Sequence, residues 1–150
     1  MLRASRILVA TAWVGALWAI GFMVAPTLFS TLGDRELAGS IAGQLFRVVA
    51  WLSLGCGIFL LLTQRVRRNP FTGEEGRPLH WLVLVMMACT LIGYFCLQPF
   101  MAELREALHV AQDPAQIDAL RHRFGLFHGA SAIVYVVQSL LGVVLILKVR

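Results

Sequence analysis

ILVATAWVGALWAIGFMVAPTLF, residues 7–29, contains no ionisable side chain. At 1.5 Å per helical residue the stretch reaches about 34 Å, enough to cross the roughly 30 Å hydrocarbon core of a bilayer. Three further runs have the same character. The second is charge-free from Val48 to Gln64 and, apart from Arg47, extends back to about Leu37. The third runs from Trp81 to Ala102 and the fourth from Phe124 to Leu147. A spanning strand needs only about ten residues and alternates in polarity, so these long, uniformly apolar runs argue against a barrel.

Composition agrees with that reading. Of 150 residues, 59% are hydrophobic and 14% charged, and the mean hydropathy is +0.77, far from the balance of a water-soluble domain. The expected fold is all-α, a bundle of four transmembrane helices over about 7–29, 40–64, 80–112 and 114–147, forming a single integral membrane domain over 1–150. Arg3 and Arg6 precede the first run as they would in a signal peptide, but the run exceeds an h-region and reads as a retained helix.

The basic residues set the orientation. Eight of them (Arg3, Arg6, Arg65, Arg67, Arg68, Arg77, Lys148 and Arg150) fall at the termini or between helices two and three, against Glu74 and Glu75; the opposite side has five against six acids. The positive-inside rule places both termini in the cytoplasm. The net charge of +5 is thereby explained as a topology signal, without a nucleic-acid partner. The expected surroundings are a lipid bilayer, with a bacterial inner membrane suiting the compact topology.

NPFTGEEGRP, residues 69–78, has the prolines and glycines of a short cytoplasmic turn. After Pro99 the pattern is different. FMAELREALHVAQ keeps Phe100, Leu104 and Leu108 at intervals of four, so helix three is expected to continue outward, bent at Pro99 where the ring removes a helical hydrogen bond. Asp113 before Pro114 reads as an N-cap with proline at the first helical position. Helices three and four would then form an outer hairpin, Leu104 and Leu108 meeting Ile117, Leu120 and Phe124. Pro26 is expected to end helix one.

His128, Ser131, Tyr135, Gln138 and Gly142 are spaced 3, 4, 3 and 4, which sets them in one stripe along helix four. A polar group facing lipid would lack partners, so the stripe should face the bundle interior, Gly142 allowing close approach at its inner end. Two uses compete. The polar atoms either hydrogen-bond across helices and fix the packing, or they line a binding site. Gln44, Arg47, Gln98 and Glu103 fall near the same depth as His128. We therefore expect an outward-opening pocket of His128, Ser131, Tyr135, Gln138, Arg47, Gln44 and Glu103, with Arg47 paired to Glu103 or Glu106. Snorkelling of Arg47 to the headgroups is the alternative.

No catalytic triad, zinc-hydrolase motif or phosphate loop is present, and no catalytic residue, cofactor or metal site is assigned. His80 lies at the wrong end for a haem shared with His128, and His122 lies six residues from it on another helix face. Cys56, Cys89 and Cys96 read as inert buried thiols, with Cys89 and Cys96, one heptad apart around Gly93, the best soft-metal pair. The leading expectation is a non-enzymatic membrane protein that binds or helps to move a small solute or metal species. The alternatives are a scaffold subunit using small-residue faces (Gly15 and Ala19; Cys89, Gly93 and Cys96) against a homo-oligomer or partner subunit, and a haem carrier.

ALRHRFGLFHGASAIVY, residues 119–135, resembles the final-helix signature of the transmembrane protein 205-like family, a run of aromatic and basic residues leading into His128-Gly129-x-Ser131. GQLF at Gly43–Phe46 and LQPFMAEL at Leu97–Leu104 are similar to further segments of that family, in the same order; Tyr135 departs from the small polar residue expected there. The resemblance implies the four-helix layout and carries no assigned activity for most members. One human relative's association with resistance to platinum drugs implies, by analogy, handling of soft-metal compounds.

Overall fold

The computed structural model describes residues 2–65 and 77–149, and all its regular structure is helical. Four helices are long and apolar enough to cross a membrane: α1 (Leu2–Thr31), α2 (Arg35–Arg65), α3 (Leu79–Val110) and α4 (Pro114–Val149). Residues 69–76 of the turn read from the sequence lie outside the described residues, as do Arg67, Arg68 and Arg150. Lengths of 30 and 36 residues for α1 and α4 correspond to about 45 and 54 Å, so the helices outreach the hydrocarbon layer.

The helix starts follow local chemistry. Asp113 Oδ1 accepts from the Ala115 amide at 3.2 Å, and Asp34 Oδ1 accepts from Glu36 at 2.8 Å and Leu37 at 3.2 Å. Each carboxylate thus satisfies amides that have no partner inside the helix. The second cap begins α2 earlier than its apolar run suggests. At the same end of the bundle the last turns of α3 pack along α4, with Phe100 and Phe127 stacked at 5.6 Å between ring centres. That is the hairpin expected from the sequence.

Pro26 does not end α1. The helix passes through it to Thr31, because Ala19–Val24 is π-helical and the Ala25 amide donates to the Ile20 carbonyl, five residues back. α3 repeats the device: Ile92–Leu97 is π-helical, and the Gln98 amide donates to Gly93 immediately before Pro99. A proline ring collides with the carbonyl four residues earlier, which is Phe22 in α1 and Phe95 in α3, each inside its wider turn. The helix widens where the ring would strike, and continues.

The bundle differs between its two ends. Ala10, Trp13, Val14 and Leu17 of α1 pack with Leu60 of α2, Val83 and Met86 of α3, and Leu145 and Val149 of α4. These residues fill the half that carries the chain termini. Gly142 makes this possible, because a Cβ there would sit 3.0 Å from a Val14 methyl. The outside is apolar too, with Leu8, Ile133, Val110 and Leu147 all largely exposed. An apolar girdle of this extent is consistent with contact with lipid.

α1 and α4 also meet through backbone. The Trp18 indole donates to the Ser139 carbonyl at 3.3 Å, and the Tyr135 hydroxyl donates to the Leu17 carbonyl at 2.6 Å. The Tyr135 ring lies so close on Gly21 that a Cβ there would overlap it. Gly21→Ala should therefore cost about 1–3 kcal/mol through overpacking, whereas Gly15→Ala, which meets open space, should stay within about 0.5 kcal/mol. Thermal unfolding of the detergent-solubilised protein measures both. In a Tyr135→Ala background the Gly21→Ala loss should shrink, and an undiminished loss would show that the ring does not demand the glycine.

Candidate functional site

Beyond Tyr135 the four helices part. A cleft of about 970 Å³ opens between them and runs toward the end carrying the Leu32–Asp34 and Ala111–Asp113 connections. From α2 it is lined at 35, 36, 39, 42, 43, 46, 49, 50 and 53, the spacing of one helix face. From residue 35 to residue 53 the helix rises about 27 Å. The cleft therefore extends from the connections deep into the apolar span, where the packed half closes it.

Its walls are mainly apolar and aromatic. Phe46 meets the Tyr135 ring edge-on at 5.3 Å, and Phe22 does so at 6.5 Å. Nearer the mouth, His128 stacks on Phe124 at 6.0 Å, and the Arg105 guanidinium lies 5.9 Å from the centre of the same Phe124 ring. An arginine on an aromatic face keeps its in-plane donors available for another partner. Arg35 and Arg121 complete a cationic rim, and none of the three forms an ion pair among the described residues. The acid at the rim, Glu36, has its Oε1 3.0 Å from His109 Nε2.

The stripe of α4 divides in two. Tyr135 and Gln138 are spent on packing: Gln138 Nε2 donates to Thr90 Oγ1 at 2.8 Å, and Thr90 in turn donates to the Met86 carbonyl at 3.2 Å. Gln138 and Thr90 are buried, and their link ties α4 to α3 across the cleft floor. His128 and Ser131 also line the cleft, further out, and the hydrogen bonds of the described residues include neither. The packing use considered for the stripe thus occurs at the floor, while its outer residues border open space.

Arg47, Gln44 and Glu103 lie elsewhere. All three are exposed and none lines the cleft, and Arg47 makes no ion pair with Glu103 or Glu106. Depth was a poor guide because direction decides. Residue 47 is turned about 100° from Phe46, and residue 103 about 200° from Met101, the lining positions beside them. The α3 residues on the correct face are Gln98, Met101, Arg105 and Leu108, whose spacing of three and four could have been read from the sequence.

Sequence reasoning also passed over Ser53 and Thr90 at the floor. The Ser53 hydroxyl is 1% exposed and has no hydrogen-bond partner among the described residues. Cys89 lines the same region, while Cys96 is exposed on another face, so the two thiols do not share the cleft. Among the described residues no group of three or more His, Cys, Asp or Glu side chains gathers as a metal-binding set.

Residues 8–109 match the family described as Domain of unknown function (DUF4149). The chain belongs to that family. The match takes in α1, α2 and nearly all of α3, including the GQLF and LQPFMAEL segments, and stops before α4. No curated protein and no solved structure matches the chain.

A double-mutant cycle on Gln138→Ala and Thr90→Ala should show a coupling of about 0.6 kcal/mol and at most about 1.7, as for hydrogen bonds between membrane helices. Arg47→Ala and Glu103→Ala should instead be additive within about 0.5 kcal/mol. Coupling beyond that, measured by unfolding in detergent, would mean that the two side chains meet.

Proposed function

We propose that this member of the DUF4149 family is a non-enzymatic integral membrane protein that binds a small solute in the cleft between the outer halves of its helices. The observation that carries this reading is the cleft itself: about 970 Å³, at the upper end of the roughly 300–1,000 Å³ range of ligand pockets, with apolar walls and a few convergent polar groups. His128 and Ser131 are the stripe residues we assign to ligand contact, joined by Arg105; Tyr135 and Gln138 form the floor. With both termini cytoplasmic, the mouth faces the extracytoplasmic side, of a bacterial inner membrane in this proposal. A route through the membrane would require the packed half around Trp13, Met86 and Leu145 to part.

The resemblance of residues 119–135 to the transmembrane protein 205-like family supports a place near that group, and the handling of soft-metal compounds follows only by that analogy. A scaffold role has one observation in its favour. A shallow groove of about 360 Å³ runs between α1 and α4 at Thr11, Gly15, Val143 and Leu147 on the lipid-facing side, where a helix of a partner or of a second copy would fit.

Ser131→Trp, which fills the cleft without touching the packed half, tests binding. Native mass spectrometry of the gently extracted protein should find a co-purifying molecule on the wild type and lose it from the variant, with the unfolding temperature largely kept. Equal retention by both proteins would contradict the assignment.

A further inference from the structure

The cleft has a side entrance. The first part of α1, Leu2–Trp18, packs along α4, whereas its last turns, Ala25–Thr31, pack on α2. Phe22 and Phe29 on α1, and Ala132 and Val136 on α4, line the cleft and are at the same time exposed. Outside the floor, the gap between these two helices therefore faces the acyl chains of the surrounding bilayer. An apolar slot continuous with lipid is filled by chains at little desolvation cost.

At the top of the slot the chemistry reverses. Arg35, Arg105 and Arg121 come from three different helices, and a guanidinium nitrogen of Arg105 reaches across the mouth to within 3.9 Å of where a Cβ of Gly39 on α2 would stand. Glu36 is the carboxylate of the rim, and its partner is His109. Guanidinium forks match phosphate oxygens and bind them through paired charge-assisted bonds. Three guanidiniums above an apolar slot are complementary to a molecule with an anionic head and aliphatic tails. A soluble anion would satisfy the rim and leave the slot empty; a neutral lipid would fill the slot and leave the rim uncompensated.

We propose that the ligand is an anionic phospholipid of the surrounding leaflet. It enters sideways between α1 and α4, sets its phosphate on Arg35, Arg105 and Arg121, and lays its chains along Phe22, Phe29 and Val136. This deepens the binding role assigned to the cleft above and depends on it.

Native mass spectrometry of the purified full chain, titrated with phosphatidylglycerol or with phosphatidylcholine of the same chains, tests the assignment. Phosphatidylglycerol should bind at least about tenfold more tightly, as expected for charge-assisted contacts. Arg105→Gln and Arg121→Gln should each reduce that preference about fivefold, the weight of one basic residue near an anionic lipid. Ala132→Trp, at an exposed position on the entrance, should block both lipids while the unfolding temperature holds. Inorganic phosphate at equal concentration should displace neither. Equal binding of the two lipids, still blocked by Ala132→Trp, would overturn the anionic assignment and leave the cleft as a binding site. Displacement by inorganic phosphate would overturn the need for chains. Lipid binding that neither Ala132→Trp nor the arginine substitutions alter would remove lipid from the cleft, and the fate of the co-purifying molecule in Ser131→Trp would then decide whether any ligand occupies it.

Discussion

The hydroxyl of Tyr135 governs how the helices can be arranged. A phenol inside an apolar span must find a partner within the protein, since none exists in hydrocarbon. It takes the Leu17 carbonyl at 2.6 Å, and its ring lies against Gly21, one turn further along α1. Leu17 and Gly21 are four residues apart, the acceptor and donor that an unbroken α-helix would join. The side chain of α4 thus reaches the backbone ladder of α1 at the point where α1 becomes π-helical. Only a glycine at 21 leaves room for the ring.

That contact divides the bundle into two unlike halves. On the terminal side, Gly142 brings α4 onto Val14, and the core closes around Trp13, Met86 and Leu145. On the other side, the π turns before Pro26 and Pro99 carry α1 and α3 past their prolines. The end of α1 rests on α2, leaving its flank toward α4 open. Helices without a solvent-driven force to close them stay apart unless small residues or hydrogen bonds draw them together. Both kinds of contact join α1 to α4 between Val14 and Tyr135, and the cleft begins where they stop.

Much of this could be read in the chain. Four spans followed from uninterrupted apolar length, the start of α4 from Asp113-Pro114, and the single face shared by His128, Ser131, Tyr135, Gln138 and Gly142 from its heptad spacing. The errors share one cause. Periodicity fixes direction within a helix, but the angular setting of one helix against another comes from packing, here Gly142 on Val14 and Tyr135 on Gly21. Arg47, Gln44 and Glu103 lie close to the right level and face away from the cleft. Arg35, Arg105 and Arg121, which line the rim, counted in the sequence only toward the charge balance of their side. Pro26 looked like a terminator because a one-dimensional reading does not foresee the π turn that accommodates it.

The central claim is that one half of the bundle is open and the other sealed, and two serines on α4 report on it with little disturbance. Ser131 lines the cleft, whereas Ser139, two turns further on, is 1% exposed between α1 and the core. In a background lacking the native cysteines, Ser131→Cys and Ser139→Cys can be challenged with a small, membrane-permeant maleimide in the delipidated, detergent-solubilised protein. The account predicts rapid modification at 131 and none at 139 on the same timescale. Equal modification of both, or protection of both, would contradict it.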